Sequence, residues 1–190
     1  MKSEKRFANV IGFDDAPFSR RYTGKVQLVG TVYAGLRFDG VLIGEVDKDG
    51  FDSASQLTEL ISRSKFAEHI RLVMLQGIAV AGFNVVDVFA LQECLGIPVM
   101  VVSRKQPDMT LIRKALLSHI EEGKRKWAVL ERLGEMEPMG GVFVQRVGLS
   151  SEQAAAVLDQ FSVCGNIPEP LRTAHLIAGA LVYGQSRGGV

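Results

Sequence analysis

The sequence predicts an α/β protein built on a mixed sheet of five to six strands with helices on both faces. Three observations carry that expectation. Residues 8–13, 26–34 and 36–46 are rich in Val, Leu, Ile and Tyr, and the last two are joined through Gly35, the pattern of antiparallel neighbours. From Asp52 the apolar period becomes helical through Leu57, Leu60 and Ile61. Two wholly apolar runs then follow, 70–75 and 98–103, each ahead of a helical pattern, as expected of strands buried on both faces.

Each element has its own signal. The first strand stops abruptly in Asp14, Asp15 and Pro17. Successive strand residues face opposite sides, so the two carboxylates point apart and at least one stands at the rim of the sheet, where α/β proteins keep their chemistry. Alone, an acid there reads as a turn former ahead of proline. Asp52 or Ser53 caps the first helix. The strand at 70–75 leads through a glycine-bracketed turn, Gly77 to Gly82, into a helix over 84–95, with Asn84 as cap, Asp87 in the third position and Gly96 closing it. The strand at 98–103 carries Arg104 and Lys105 at its C-terminal end. After Asp108 the pattern is helical to about Ile120, and a charged amphipathic stretch surrounds Trp127, Leu130 and Leu133. A break at 136–141, a strand at 142–147, a helix from Ser150 to Gly165 and a last apolar helix over 168–183, begun by Pro-Glu-Pro, complete the order. One domain over 1–190 is expected, with a flexible tail from about Gly184.

A chain of 190 residues that is 47% hydrophobic suffices for one substantial core. Its 22 basic and 21 acidic side chains leave a net charge of +1, which excludes a strongly basic surface; any contact with nucleic acid has to come from local clustering. No apolar run reaches the roughly 18 residues of a membrane span, and the charged segment from Met1 to Arg6 lacks a following signal-peptide core, so a cytoplasmic protein without a membrane partner is expected. Cys94 and Cys164 have neither metal-ligand spacing nor a disulfide framework and read as structural thiols.

Three constellations could carry chemistry. The first is a set of acids at element ends: Asp14 after the first strand and Asp52 before the first helix, with the fourth strand ending near Gln76. A hard divalent cation that activates water needs oxygen ligands converging from separate elements. The plain alternative is that Asp52 caps its helix and that Asp47 and Asp49 are turn residues beside Gly50. The second is basic: Arg20, Arg21 and Tyr22 in the loop after Asp14, and Arg104 with Lys105, groups suited to phosphate contact and base stacking but also common in solvated loops. Lys124, Arg125 and Lys126, beside Glu121 and Glu122, read as an exposed helical face. The third is His175, one turn into an apolar helix and three residues after Arg172. His69 and His119 sit in polar surroundings. The loop from Gly77 to Asp87 lacks a phosphate-loop lysine, which disfavours nucleotide cradling.

The string Gly165-Asn166-Ile167-Pro168-Glu169-Pro170-Leu171-Arg172-Thr173-Ala174-His175 resembles the Pro-Glu-Pro-x-Arg-x-Ala-His segment near the end of endonuclease V, and Gly12-Phe13-Asp14 resembles the Gly-x-Asp that carries that family's first metal ligand. Through Gly12-Phe13-Asp14-Asp15, Asp49-Gly50-Phe51-Asp52, Gly82-Phe83-Asn84-Val85-Val86-Asp87 and Asn166-Ile167-Pro168-Glu169-Pro170, nearly the whole chain resembles an uncharacterised, mainly archaeal group related to endonuclease V. The resemblance implies a ribonuclease H-like three-layer fold and a nucleic-acid partner, DNA or RNA, with Mg²⁺ or Mn²⁺ as cofactor. It matches Asp14 to the first ligand, Asp52, or Asp49, to the family's glutamate, and Gln76 to the position of its third acid. Arg104 or Lys105 matches its lysine and His175 its terminal histidine. Arg20, Arg21, Tyr22 and Arg172 are then expected to touch nucleic acid, and Asp15, Asn84 and Asp87 to support the site from behind. A histidine expected after the Asp-Gly turn is absent, with Gly82 near its place, and no Pro-Tyr-x-Pro wedge is present.

A metal-dependent endonuclease and a binding module that has lost its chemistry are therefore both open. A small-molecule enzyme using the Gly77 to Asp87 loop is a third reading. The oligomeric state has no signal in the sequence.

Overall fold

The structure, a computed structural model, describes residues 7–187. The charged segment 1–6 and residues 188–190 of the expected tail lie outside the described residues. The elements run β1 (Asn9–Asp15), β2 (Lys25–Ala34), β3 (Arg37–Asp47), α1 (Ser53–Ser62), β4 (Val73–Gln76), β5 (Ala79–Val80), β6 (Asn84–Val85), α2 (Val88–Leu95), β7 (Val99–Ser103), α3 (Met109–His119), α4 (Gly123–Leu133), β8 (Glu137–Met139), β9 (Val142–Val147), α5 (Ser151–Phe161) and α6 (Glu169–Tyr183).

Seven strands form one mixed sheet in the order β3-β2-β1-β4-β7-β9-β8. The first three make the expected antiparallel meander, while β4 lies parallel to β1 and β7 parallel to β4. The seventh strand is β8, which pairs with β9 inside the segment expected as a break. Alternation along the strands divides the core. Ile11, Phe13, Val73, Leu75, Val99 and Val101 face α1 and α2; Val10, Leu72, Met74, Met100 and Val102 face α5 and α6. The hairpin of α3 and α4 packs outside, with Leu116, Val129 and Leu130 against Val85. Among the described residues no helix is long and apolar enough to cross a membrane.

The second helix starts later than expected. Asn84 and Val85 pair with Val80 and Ala79 in a two-stranded ribbon, and Asp87, not Asn84, is the cap, accepting from the Phe89 and Ala90 amides. The β-branched run Val85-Val86 suits extended backbone, and the Asn84 amide is held elsewhere. Lys126 is also not on an exposed face: it is buried, while its neighbour Lys124 is exposed.

Helix α6 packs across β1 and β2 of the meander. Gly12 makes this approach possible, since a Cβ there would stand 2.7 Å from the Pro170 carbonyl carbon. Thr31 donates to the Pro170 carbonyl oxygen at 2.5 Å, and the Tyr33 and Thr173 hydroxyls share a bond of 2.7 Å. Ala174 and Ala178 then lie flat on Val29 and Ala16.

Candidate active site

Asp14 is the next-to-last residue of β1 and points to the α6 face. It is 6% exposed, and its Oδ2 lies 2.7 Å from Nδ1 of His175, while its Oδ1 accepts from the Asp15 amide. The flat packing of Ala174 and Ala178 fixes the helix that carries the imidazole, so this pair is set by the same contacts that seat α6. Burial pushes the Asp14 carboxyl above its ordinary range, opposed by the hydrogen bond and charge of His175 and by the charge of Arg104.

Gln76 ends β4 on the same sheet face. Phe13 pairs with Leu75 in the parallel ladder, which puts Gln76 one step beyond, beside Asp14. Its Oε1 is buried and has no hydrogen-bond partner. Such an atom costs about 1–3 kcal/mol when left unsatisfied. Arg104 follows β7, and the alternation of Met100 and Val102 directs it to this face, where its charge reaches Asp14. Asp14, Gln76, Arg104 and His175 thus gather at the C-terminal ends of three adjacent strands, as a site on such a sheet requires.

Asp15 faces the other side. Its Oδ2 accepts from the Ala81 amide at 2.9 Å, and burial together with the neighbouring Asp14 charge pushes its carboxyl up to about 6.

Asp52 does not join Asp14, which corrects its expected role as a ligand. It lies at the start of α1 on the opposite sheet face, where its carboxylate accepts from the Asn84 amide at 2.6 Å and the Asp47 backbone amide at 3.2 Å. Nor does it cap α1 with its side chain. Asp49 is likewise turned away, accepting from the Phe83 amide and pairing with Lys48. Among the described residues no group of three or more His, Cys, Asp or Glu side chains is arranged to hold a metal.

The remaining expectations divide. Arg20, Arg21 and Tyr22 are exposed in the loop that leaves β1 at the site's end of the sheet, and Tyr22 is pinned by a bond to the Lys25 carbonyl. Lys105 is exposed, with its carbonyl taken by Ser103. Arg172 is paired with Glu169, which accepts from its Nε at 2.9 Å and its Nη2 at 2.7 Å. Asn84 and Asp87 are structural, the first tying Asp52 and the Ser53 amide, the second capping α2. Sequence reasoning missed Thr31 and Tyr33, which seat α6, and Lys126. The signal for Lys126 was its place on one helix face with Val129 and Leu130, three and four positions on.

A mixed sheet of this order with helices on both faces is the fold of endonuclease V. The endonuclease V of Ciona intestinalis, solved in complex with a 24mer DNA containing an inosine followed by a ribo-adenosine, superposes with a TM-score of 0.62 at 12% identity, covering 93% of this chain and 87% of that one. The chain itself belongs to the family described as Endonuclease dU, whose model matches residues 6–182. A UPF0215 protein of Deinococcus radiodurans is 50% identical over 183 residues, covering 96% of this chain and 93% of its own length. A crystal structure from Archaeoglobus fulgidus agrees with a TM-score of 0.84 at 35% identity, over 91% of this chain and 97% of that chain.

Proposed function

We propose that this protein is a divalent-metal-dependent endonuclease that cuts a phosphodiester in DNA carrying deoxyuridine, with Asp14 at the centre of the reaction. The observation that carries the reading is the pairing of a buried Asp14 with His175 beside the unpartnered Gln76 Oε1. The family's description supports deoxyuridine as the lesion. The DNA bound by the Ciona endonuclease V, on the same fold, supports a nucleic-acid partner.

The donor set fits a Mg²⁺ or Mn²⁺ ion. One carboxylate and one neutral amide oxygen on adjacent strands suit a hard cation that keeps waters and takes substrate phosphate oxygens as its other ligands. Asp14 and Gln76 would hold it, and the orphaned Oε1 is the atom that gains a partner. When bound, such an ion supplies Lewis-acid polarisation of the phosphate and an acidified water.

The chain's own groups do the rest. Arg104 faces the position where charge develops on the phosphate and stabilises it. His175 orients the Asp14 carboxylate through its Nδ1 contact and holds a proton there. Arg20 and Arg21 meet the flanking backbone, and Tyr22 offers a ring for stacking.

The test uses duplex oligonucleotides that differ in one base, deoxyuridine, deoxyinosine or thymidine, with Mg²⁺, Mn²⁺ or chelator. Metal-dependent cleavage of the deoxyuridine strand, lost in Asp14→Asn, is expected. No cleavage of any strand, or cleavage indifferent to Asp14→Asn, overturns the reading. A specific observation favours a second reading, a binding module without chemistry: Gln76 brings no charge and Asp52 stays remote. That reading predicts tight binding of the same DNA with chelator present and no product.

A further inference from the structure

The motifs at 49–52 and 82–87 are not absorbed by the reaction, and Lys126 is a buried ammonium that it does not use. They meet in one place. Lys126 Nζ donates to the Asp49 carbonyl at 2.7 Å across 77 positions of chain. The Asp49 amide donates to the Ala81 carbonyl at 2.9 Å, and the Ala81 amide donates to Asp15 Oδ2 at 2.9 Å. The Phe83 amide closes the ring on Asp49 Oδ1 at 2.8 Å. Gly82, at φ 86°, has to be glycine, because a Cβ there would run into that same Asp49 oxygen.

The backbone along this path is strained. Among the described residues, the non-glycine positions with positive φ are Asp49 at 56°, Ala81 at 48° and Glu122 at 55°. The first two are hydrogen-bonded to each other, and Glu122 begins the helix that carries Lys126, whose amide it accepts. Such residues cost of order 1–3 kcal/mol each and persist where their surroundings over-determine them. Here those surroundings run from the rim of the sheet at Asp15 to the helix outside it.

We infer that Lys126 is a positioning residue: through Asp49 and Ala81 it holds the 77–83 loop and the Asp15 carboxylate in one arrangement beside Asp14. Its effect on rate rests on the nuclease reading, while the clasp itself does not. Helix α4 thereby has a mechanical link to a site it does not touch. Asn84 braces the same turn from below, donating to the Asp47 carbonyl at 2.8 Å.

The test is Lys126→Met, which keeps the buried stem and removes the donor, with Gly82→Ala to break the clasp from its other side and Lys124→Met as an exposed control. Amide hydrogen exchange at Ala81 and Phe83 is expected to speed up by about tenfold in both clasp variants, with α6 amides unchanged. In the same variants kcat on the deoxyuridine strand is expected to fall by about 10- to 100-fold with little change in KM. Exchange at Ala81 and Phe83 that stays at the wild-type rate, or rises uniformly across the sheet, overturns the clasp. Faster local exchange with an unchanged kcat overturns the positioning role. If the wild-type protein cuts nothing, the nuclease reading fails by itself, and the exchange arm still decides the clasp.

Discussion

His175 Nδ1 and Asp14 Oδ2 lie 2.7 Å apart across 161 positions of chain, so the site exists only once the last helix has docked on the first strand. The geometry of the pair is therefore a property of α6 packing as much as of the two side chains.

Gly12→Ala tests that dependence without touching either partner. The added methyl meets Pro170 backbone at 2.7 Å and must push α6 outward. A loss of about 1–3 kcal/mol in urea unfolding is expected, as for other overpacked contacts, together with loss of cleavage. A variant of normal activity would show that the helix need not sit so close.

His175→Ala keeps the α6 packing contacts but strips the partner from a buried carboxylate oxygen, so it is expected to reduce cleavage by about 100-fold or more and to cost about 1–3 kcal/mol in stability. Single-turnover rates measure it.

Gln76 separates stability from chemistry. Gln76→Leu removes a buried oxygen that has no partner, so unfolding free energy is expected to hold or rise by about 1 kcal/mol while cleavage is lost. Gln76→Glu places a second charge beside Asp14; it is expected to bind Mn²⁺ more tightly in calorimetry and to be less stable without metal.

The Asp15 carboxyl sets a pH dependence. Burial and the Asp14 charge raise it to about 6 from 3.8. Between these values the folded protein holds a proton that the unfolded chain has released, so stability falls as pH rises from about 4 to 6. The loss is of order 2–3 kcal/mol. Asp15→Asn keeps an acceptor for the Ala81 amide and carries no charge, so its unfolding profile is expected to fall less steeply over this range, Asp14 supplying what slope remains, and to exceed the wild type at pH 7. Parallel profiles would contradict the assignment.

The fold was largely legible because its signals are local. The short link between β2 and β3, apolar runs for β4 and β7, and the Pro-Glu-Pro start of α6 each specify an element without reference to the others. Three of the four residues of the candidate site were legible for the same reason: Asp14 and Gln76 lie at the ends of strands and Arg104 follows one. What the sequence did not carry was side-chain destination. Asp52 stands where a ligand could, but its direction is decided by Asn84, 32 positions away. Lys126 is flanked by charges and reads as solvated, yet a single carbonyl at Asp49 draws it inside. Arg172 reads as unpaired in the sequence, yet Glu169, one turn back, accepts from its Nε and Nη2.

The placement of the ion decides more than any rate. A crystal of the protein soaked in Mn²⁺, with anomalous differences collected at the manganese edge, is expected to show one peak shared by Asp14 and Gln76 and none at Asp52. A peak on Asp52 or Asp49, or no peak at Asp14 at saturating Mn²⁺, would contradict an Asp14-centred metal site.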